Sequence, residues 1–218
     1  MRFLLAAIII ATTIALAFTS CKSSGSPTFC DTACLKDTLK FSNETNKYQP
    51  SVFISAKNCK PDTIAWSYIG MGVNRKMDFG GLVGADIHLS KDFVRCIIND
   101  TSYAWLLFND CDGGRGYYLK IPFNKTKSLG RSNRALNNFD PKYSVSSDLI
   151  AYMDKGNIFI EDMNTGKTAT MTFGRDIAPD FANLHNSIDS VNITPARAWA
   201  RYKVDNEWKE VEKKIELK

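Results

Sequence analysis

Side chains suited to chemistry are thinly spread along this 218-residue chain. It holds two histidines, His88 and His185, far apart in sequence, so few groups are suited to act as a general base near neutral pH. The spacings of a nucleophile elbow, a zinc-protease helix, a P-loop and a dinucleotide-binding turn are all absent. His88 follows the alternating stretch Gly84-Ala85-Asp86-Ile87 and reads as an exposed strand position; His185 sits in the polar connection Asn183-Leu184-His185-Asn186. Carboxylates pair in two places. Asn109-Asp110-Cys111-Asp112-Gly113-Gly114 sets oxygen donors before a flexible turn, as a calcium loop would, but it lacks the ligand period and closing glutamate of an EF-hand. A hairpin turn is the expectation there. Glu161-Asp162 falls at a strand end, where alternation sends the two carboxylates to opposite faces. An acid pair of glycosidase type would have to come from strand ends distant in sequence. No cofactor is implied.

The cysteines divide into Cys21 and five others, Cys30, Cys34, Cys59, Cys96 and Cys111. These five are the candidates for disulfides, and an odd number leaves at least one unpaired within the chain. Cys30-x-x-x-Cys34 places both sulfurs on one face if the segment Cys30 to Leu39 is helical. With no second close pair and two distant histidines, bridges are expected rather than a metal.

Charge and aromatics favour recognition over catalysis. Arg115, Lys120, Lys125, Lys127, Arg131 and Arg134 make a basic stretch that continues to Lys142, opposed by Asp140 alone. They are read as solvated, and as a candidate basic surface for anionic headgroups, lipopolysaccharide phosphates or an acidic partner. The formal charge of +5 is too mild for nucleic acid. Trp66, Trp105 and Trp199 each follow an alanine in apolar strands and are assigned to the core. Trp208 and Tyr118 are the aromatics expected at the surface. From Arg201 to Lys218 the charges alternate in sign, as on an exposed strand face.

The elements that must position these groups are strands. Runs rich in β-branched and aromatic residues, bounded by Gly, Asn, Asp and Pro, predict strands at 51–56, 63–69, 93–98, 103–108, 117–121, 149–153, 157–161, 168–173, 198–204 and 208–215. Helix is expected only at 30–39, with a turn near 180–185. An Ala-aromatic pair recurs as Ala65-Trp66, Ala104-Trp105, Ala151-Tyr152 and Ala198-Trp199, each after a polar turn. Spacings of 39, 47 and 47 residues predict a weak repeat of antiparallel meanders. The expected fold is all-β, built of blade-like meanders as a small or partial propeller. The alternative is a β-sandwich of two packed antiparallel sheets.

The chain begins with an address. Arg2 precedes an apolar run from Phe3 to Phe18, short for a membrane span, and Thr19-Ser20 leads into Cys21. Residues 1–20 read as a signal peptide, 21–29 as a flexible tether starting at Cys21, and 30–218 as one β-rich domain. Thr19-Ser20-Cys21 resembles the lipobox of bacterial lipoproteins, departing from it in Phe18 where Leu is usual and in Ser20 for Gly or Ala. The resemblance implies an exported protein with acyl chains on Cys21, which bind the membrane by burying CH₂ groups. Lys22, in place of Asp, implies an outer-membrane anchor facing the periplasm. Residues 143–152, Tyr-Ser-Val-Ser-Ser-Asp-Leu-Ile-Ala-Tyr, with Gly156-Asn157-Ile158-Phe159-Ile160-Glu161-Asp162-Met163-Asn164-Thr165-Gly166-Lys167, resemble one TolB-like propeller repeat. Val145 and Ser146-Ser147 depart from its Pro and Asp-Gly. The expected function is a non-catalytic lipoprotein domain that binds an envelope protein or glycan. The alternative is a carbohydrate-active or peptidoglycan-acting enzyme with its acids on loops.

Overall fold

The structure, a computed structural model, describes residues 29–30, 34–72, 75–124, 126–129, 133–154, 156–173 and 184–218. The leader 1–20, Cys21 and the tether 22–28 lie outside the described residues, as do Lys125 and Arg131.

Fifteen strands form three sheets among the described residues. The first joins β1 (Leu39–Ser42), β2 (Ser51–Lys57), β3 (Lys60–Ser67) and β4 (Arg75–Asp78) in sequence order. The second holds β5 (Val94–Ile98), β6 (Tyr103–Asn109), β7 (Gly116–Pro122), β8 (Asn133–Leu136), β10 (Leu149–Asp154), β11 (Asn157–Asp162) and β12 (Thr168–Thr172), again in sequence order. The third orders β15 (Glu207–Lys214), β14 (Arg197–Val204), β13 (Ile188–Ile193) and β9 (Tyr143–Val145). All pairings are antiparallel except β9 with β13. The hairpins β2–β3 and β14–β15 turn on Asn58-Cys59 and Asp205-Asn206, all four at positive φ, the twist that two-residue hairpins require.

Register fixes how the large sheet is used. Cross-strand partners share a face, as do residues two apart along a strand. Tyr117 pairs with Arg134, and Leu136 with Ala151, so Tyr117, Leu136 and Ala151 share one face of the sheet. On β6 and β7 that face (Leu106, Phe108, Leu119, Ile121) packs against Val52, Ile54, Ile64 and Trp66 of the first sheet. On β10 and β11 the same face (Leu149, Met153, Ile158, Ile160) packs against Val191, Ile193, Ala198 and Ala200 of the third. Each large side chain buried this way contributes about 1.5–3 kcal/mol.

The opposite face closes on itself. Trp105, Leu107, Tyr118, Ala135 and Ile150 form a third buried cluster there. In a flat sheet β7 and β11 would lie three strand spacings apart, roughly 14 Å. Yet Lys120 Nζ is 2.6 Å from Glu161 Oε1. Asn99 Nδ2, beyond β5, donates to Asn164 Oδ1, beyond β11, at 2.8 Å. The sheet is therefore folded into two wings about β8. Four layers follow one another in a sandwich-like stack, and no ring closes among the described residues. One Ala-aromatic pair falls in each layer, on β3, β6, β10 and β14.

The expected helix at 30–39 is not found over 34–39. Cys34 is bonded to Cys59 and the Leu35 N–H donates to the Cys59 carbonyl, so this segment spends its backbone on the β2–β3 turn. The one α-helix of the described residues, α1 (Phe79–Val83), is capped by Asp78, whose Oδ2 accepts the Gly81 N–H. Near 180–185 the described part is a 3₁₀ turn at Leu184–Asn186.

Candidate functional site

The folded sheet leaves a groove where its wings part. One cavity of about 320 Å³ opens between the start of β6 and the β11–β12 turn, with Trp105, Lys120, Glu161 and Asn164 in its walls. A second, of about 490 Å³, is lined by Tyr68, Thr101, Asn124 and Lys127. Ser102 and Tyr103 line both, so the two adjoin at Tyr103 and together make a groove, its first part between the wings and its second part on the side of the first sheet.

Its side chains are held in place. Lys120 Nζ, paired with Glu161, also lies 4.7 Å from the Tyr103 ring centre and 4.5 Å from that of Trp105. Lys127 Nζ lies 5.1 Å from the Tyr103 ring centre and donates to its hydroxyl at 2.5 Å. The loop that carries Asn124 and Lys127 is fixed from the first sheet. Arg75 Nη1 donates to the carbonyls of Asn124 at 2.9 Å and Lys127 at 2.7 Å, with its guanidinium over Trp66. Asp100 Oδ1 accepts the Ser102 N–H at 2.6 Å and shapes the β5–β6 turn on the same rim.

The basic stretch is thus divided. Lys120 and Lys127 converge on the groove. Arg134 pairs with Tyr117 on the other face of the sheet from Lys120, and Arg115 Nη1 donates to the Tyr117 hydroxyl at 3.3 Å at the far end of β7. These described cations do not form one surface, because alternation along β7 and β8 sends them to opposite faces. Tyr118, expected at the surface, is buried against Trp105 and Tyr152, since the large sheet folds over it. Trp208 is exposed as expected, with Arg201 and Lys203 beside its ring.

The cysteines form two bridges, Cys30–Cys111 and Cys34–Cys59, and leave Cys96 as the free thiol. Burial pushes the Cys96 thiol pKa well above its ordinary value. The first bridge stitches the start of the domain to the β6–β7 turn, where the Phe29 N–H also donates to the Cys111 carbonyl. Gly114, at φ +66°, lies so close to Phe29 that a Cβ would come within 2.7 Å of its ring. Such bridges belong to an oxidising, exported compartment. No helix among the described residues is long and apolar enough to cross a membrane.

Both histidines are tied to carboxylates that are distant in sequence. His88, half-buried outside any strand, has Nδ1 2.7 Å from Asp112 Oδ2, and its N–H donates to Asp110 Oδ1. His88, Asp110 and Asp112 bring ligand atoms within 4.8 Å of one another, the set among the described residues most suited to a cation. Asp110 already accepts two backbone N–H groups, from His88 and Gly113, so its carboxylate is accounted for by the turn. His185 Nε2 lies 2.6 Å from Asp140 Oδ2, and its ring stacks on Tyr143 at 5.0 Å. Burial pushes the Asp140 carboxyl up, but the His185 bond, the Lys142 N–H and both positive charges outweigh it and hold its pKa below the usual carboxylate range. Burial, then the charges of Asp140 and Asp189, raise the Tyr143 phenol well above its ordinary pKa. This cluster pins β9 to the turn before β13. Neither dyad was legible in sequence, because its members lie 24 and 45 residues apart.

Comparison with protein-family models, curated proteins and solved structures found no match.

Proposed function

We propose that the chain is an exported lipoprotein, held at the outer membrane by acyl chains on Cys21, whose β domain binds an envelope protein or glycan through the groove without transforming it. The observation that carries this reading is the placement of the groove. β6 runs from Tyr103 at the groove to Asn109 beside the Cys30–Cys111 stitch, and seven extended residues span roughly 20 Å. A domain tethered through residues 22–28 would therefore be attached at its β6–β7 end, with the groove at the far end of β6, clear of the attachment point. The resemblance of 143–167 to a TolB-like repeat adds a fold-level analogy with interaction modules.

A second reading has one specific observation behind it. Asp100 and Glu161 face the same cavity from opposite wings, as the acids of a glycan-cleaving enzyme would. Glu161 is engaged by Lys120 and Asp100 by the Ser102 N–H, which favours a structural role for both. The test joins two measurements. Mass spectrometry of the mature N-terminus is expected to find an acylated Cys21, and an unmodified cysteine overturns the anchor. A purified Cys21→Ser protein is expected to bind members of an envelope glycan and peptide panel and to return them intact. Cleavage of any of them overturns the non-catalytic reading.

A further inference from the structure

The two halves of the groove differ in charge. The first holds Lys120 beside Glu161 and Asp100, so its one cation is outnumbered by carboxylates. The second holds Lys127 with only neutral side chains. Lys127 has no carboxylate partner among the described residues. Its ammonium carries three donors, one of which the Tyr103 hydroxyl takes. Two remain for a ligand. The rest of the second half is hydroxyl and amide: Thr101, Ser102 and Asn124. Asn124 Oδ1 accepts from the Thr126 N–H and hydroxyl, and its Nδ2 donates to no protein group among the described residues. In the first half, Asn99 Nδ2 donates to Asn164 Oδ1, leaving the Asn99 amide oxygen and the Asn164 amide nitrogen on the rim.

From this asymmetry, and resting on the groove as a binding site, we infer that its ligand is an acidic saccharide, lying across Tyr103 with a carboxylate at Lys127 and neutral hydroxyl or acetamido groups in the Asn99–Asn164 half. Amide and hydroxyl side chains offer a donor and an acceptor at each position, as sugar hydroxyls demand. The rings of Tyr68 and Tyr103 in the walls supply apolar contact for ring C–H groups. One ammonium balances the single charge of a carboxylate and only half that of a phosphate dianion. Arg75, which fixes the loop backbone, holds Lys127 in position before a ligand arrives.

The experiment is calorimetric titration of the Cys21→Ser protein with two oligosaccharides of equal length, one alternating uronic acid with N-acetylhexosamine and one of N-acetylhexosamine alone, plus a phosphorylated form of the second. The acidic oligomer is expected to bind at least tenfold more tightly than the neutral one at low salt. Lys127→Gln is expected to erase that preference; Trp208→Ala, remote from the groove, should leave both affinities unchanged. Equal affinity for the two oligomers, preference for the phosphorylated one, or full preference in Lys127→Gln overturns the inference and leaves a groove that binds. Binding of a peptide alone to the groove overturns the saccharide and leaves the binding module. Cleavage of a bound oligomer instead overturns the non-catalytic reading beneath both.

Discussion

The part of the chain up to β7 and the part after β8 are built from the same meanders and differ in what closes them. Cys30, Cys34, Cys59 and Cys111 all lie in the first, where two bridges tie the opening segment to the β2–β3 and β6–β7 turns. The second has no cysteine. There Asp140–His185, Lys142–Asp189 and Arg197–Glu212 hold neighbouring segments, and Lys218 pairs its backbone with Thr168 at the exposed edge of β12. Covalent closure is indifferent to pH, whereas carboxylate closure depends on it. The two regions should therefore fail under different conditions.

The largest effect should come from the bridges. Losing Cys30–Cys111 is expected to cost about 4.5 kcal/mol and losing Cys34–Cys59 about 3.5, from the lengths of chain they close. Urea denaturation of the double serine variants checks both values, and a reversed order would break the link to loop length. Under reductant, hydrogen exchange should rise first in β2 and β3 and later in β13.

Acid should reverse that order. Asp140, with its pKa depressed by folding, contributes stability that is complete above about pH 5 and is lost as pH falls through its lowered folded value. Asp140→Asn is expected to cost about 1–3 kcal/mol at neutral pH, the range for a buried charged hydrogen bond. The gap from the unmutated protein should close in acid, and a gap independent of pH would remove Asp140 from the account. Hydrogen exchange in acid should rise in β9 and β13 before β6. The smallest effect belongs to the exposed pair: Arg197→Ala should change stability by less than about 1 kcal/mol, and by less still in high salt.

The strands legible in sequence were those whose own residues alternate or run apolar; each of the ten predicted runs overlaps a strand, with ends one or two residues off in several. The five missed were short or polar. β1, β4 and β8 have four residues each, with Lys40, Arg75, Lys76 and Arg134 among them, and β13 carries Asp189 and Asn192. Their place in a sheet comes from neighbours, which a local reading does not see. Cysteine pairing was closed to sequence for a similar reason, since Cys30 and Cys34, four apart, go to different partners. The Ala-aromatic repeat was legible and falls once per layer. Of the groove, Lys120 and Lys127 stood out as part of a basic stretch. Glu161 and Asn164 join them only because the sheet folds about β8, a tertiary fact with no local signature.

Whether a partner sits in the groove at Tyr103 is tested by a map of backbone amide shifts by NMR as the Cys21→Ser protein is saturated with the acidic oligosaccharide. Shifts are expected at Ser102, Tyr103, Asn124, Lys127 and Thr165, with the β6–β7 turn and the Trp208 face unmoved. Shifts centred on His88, Asp112 or Trp208, with the groove silent, would contradict it.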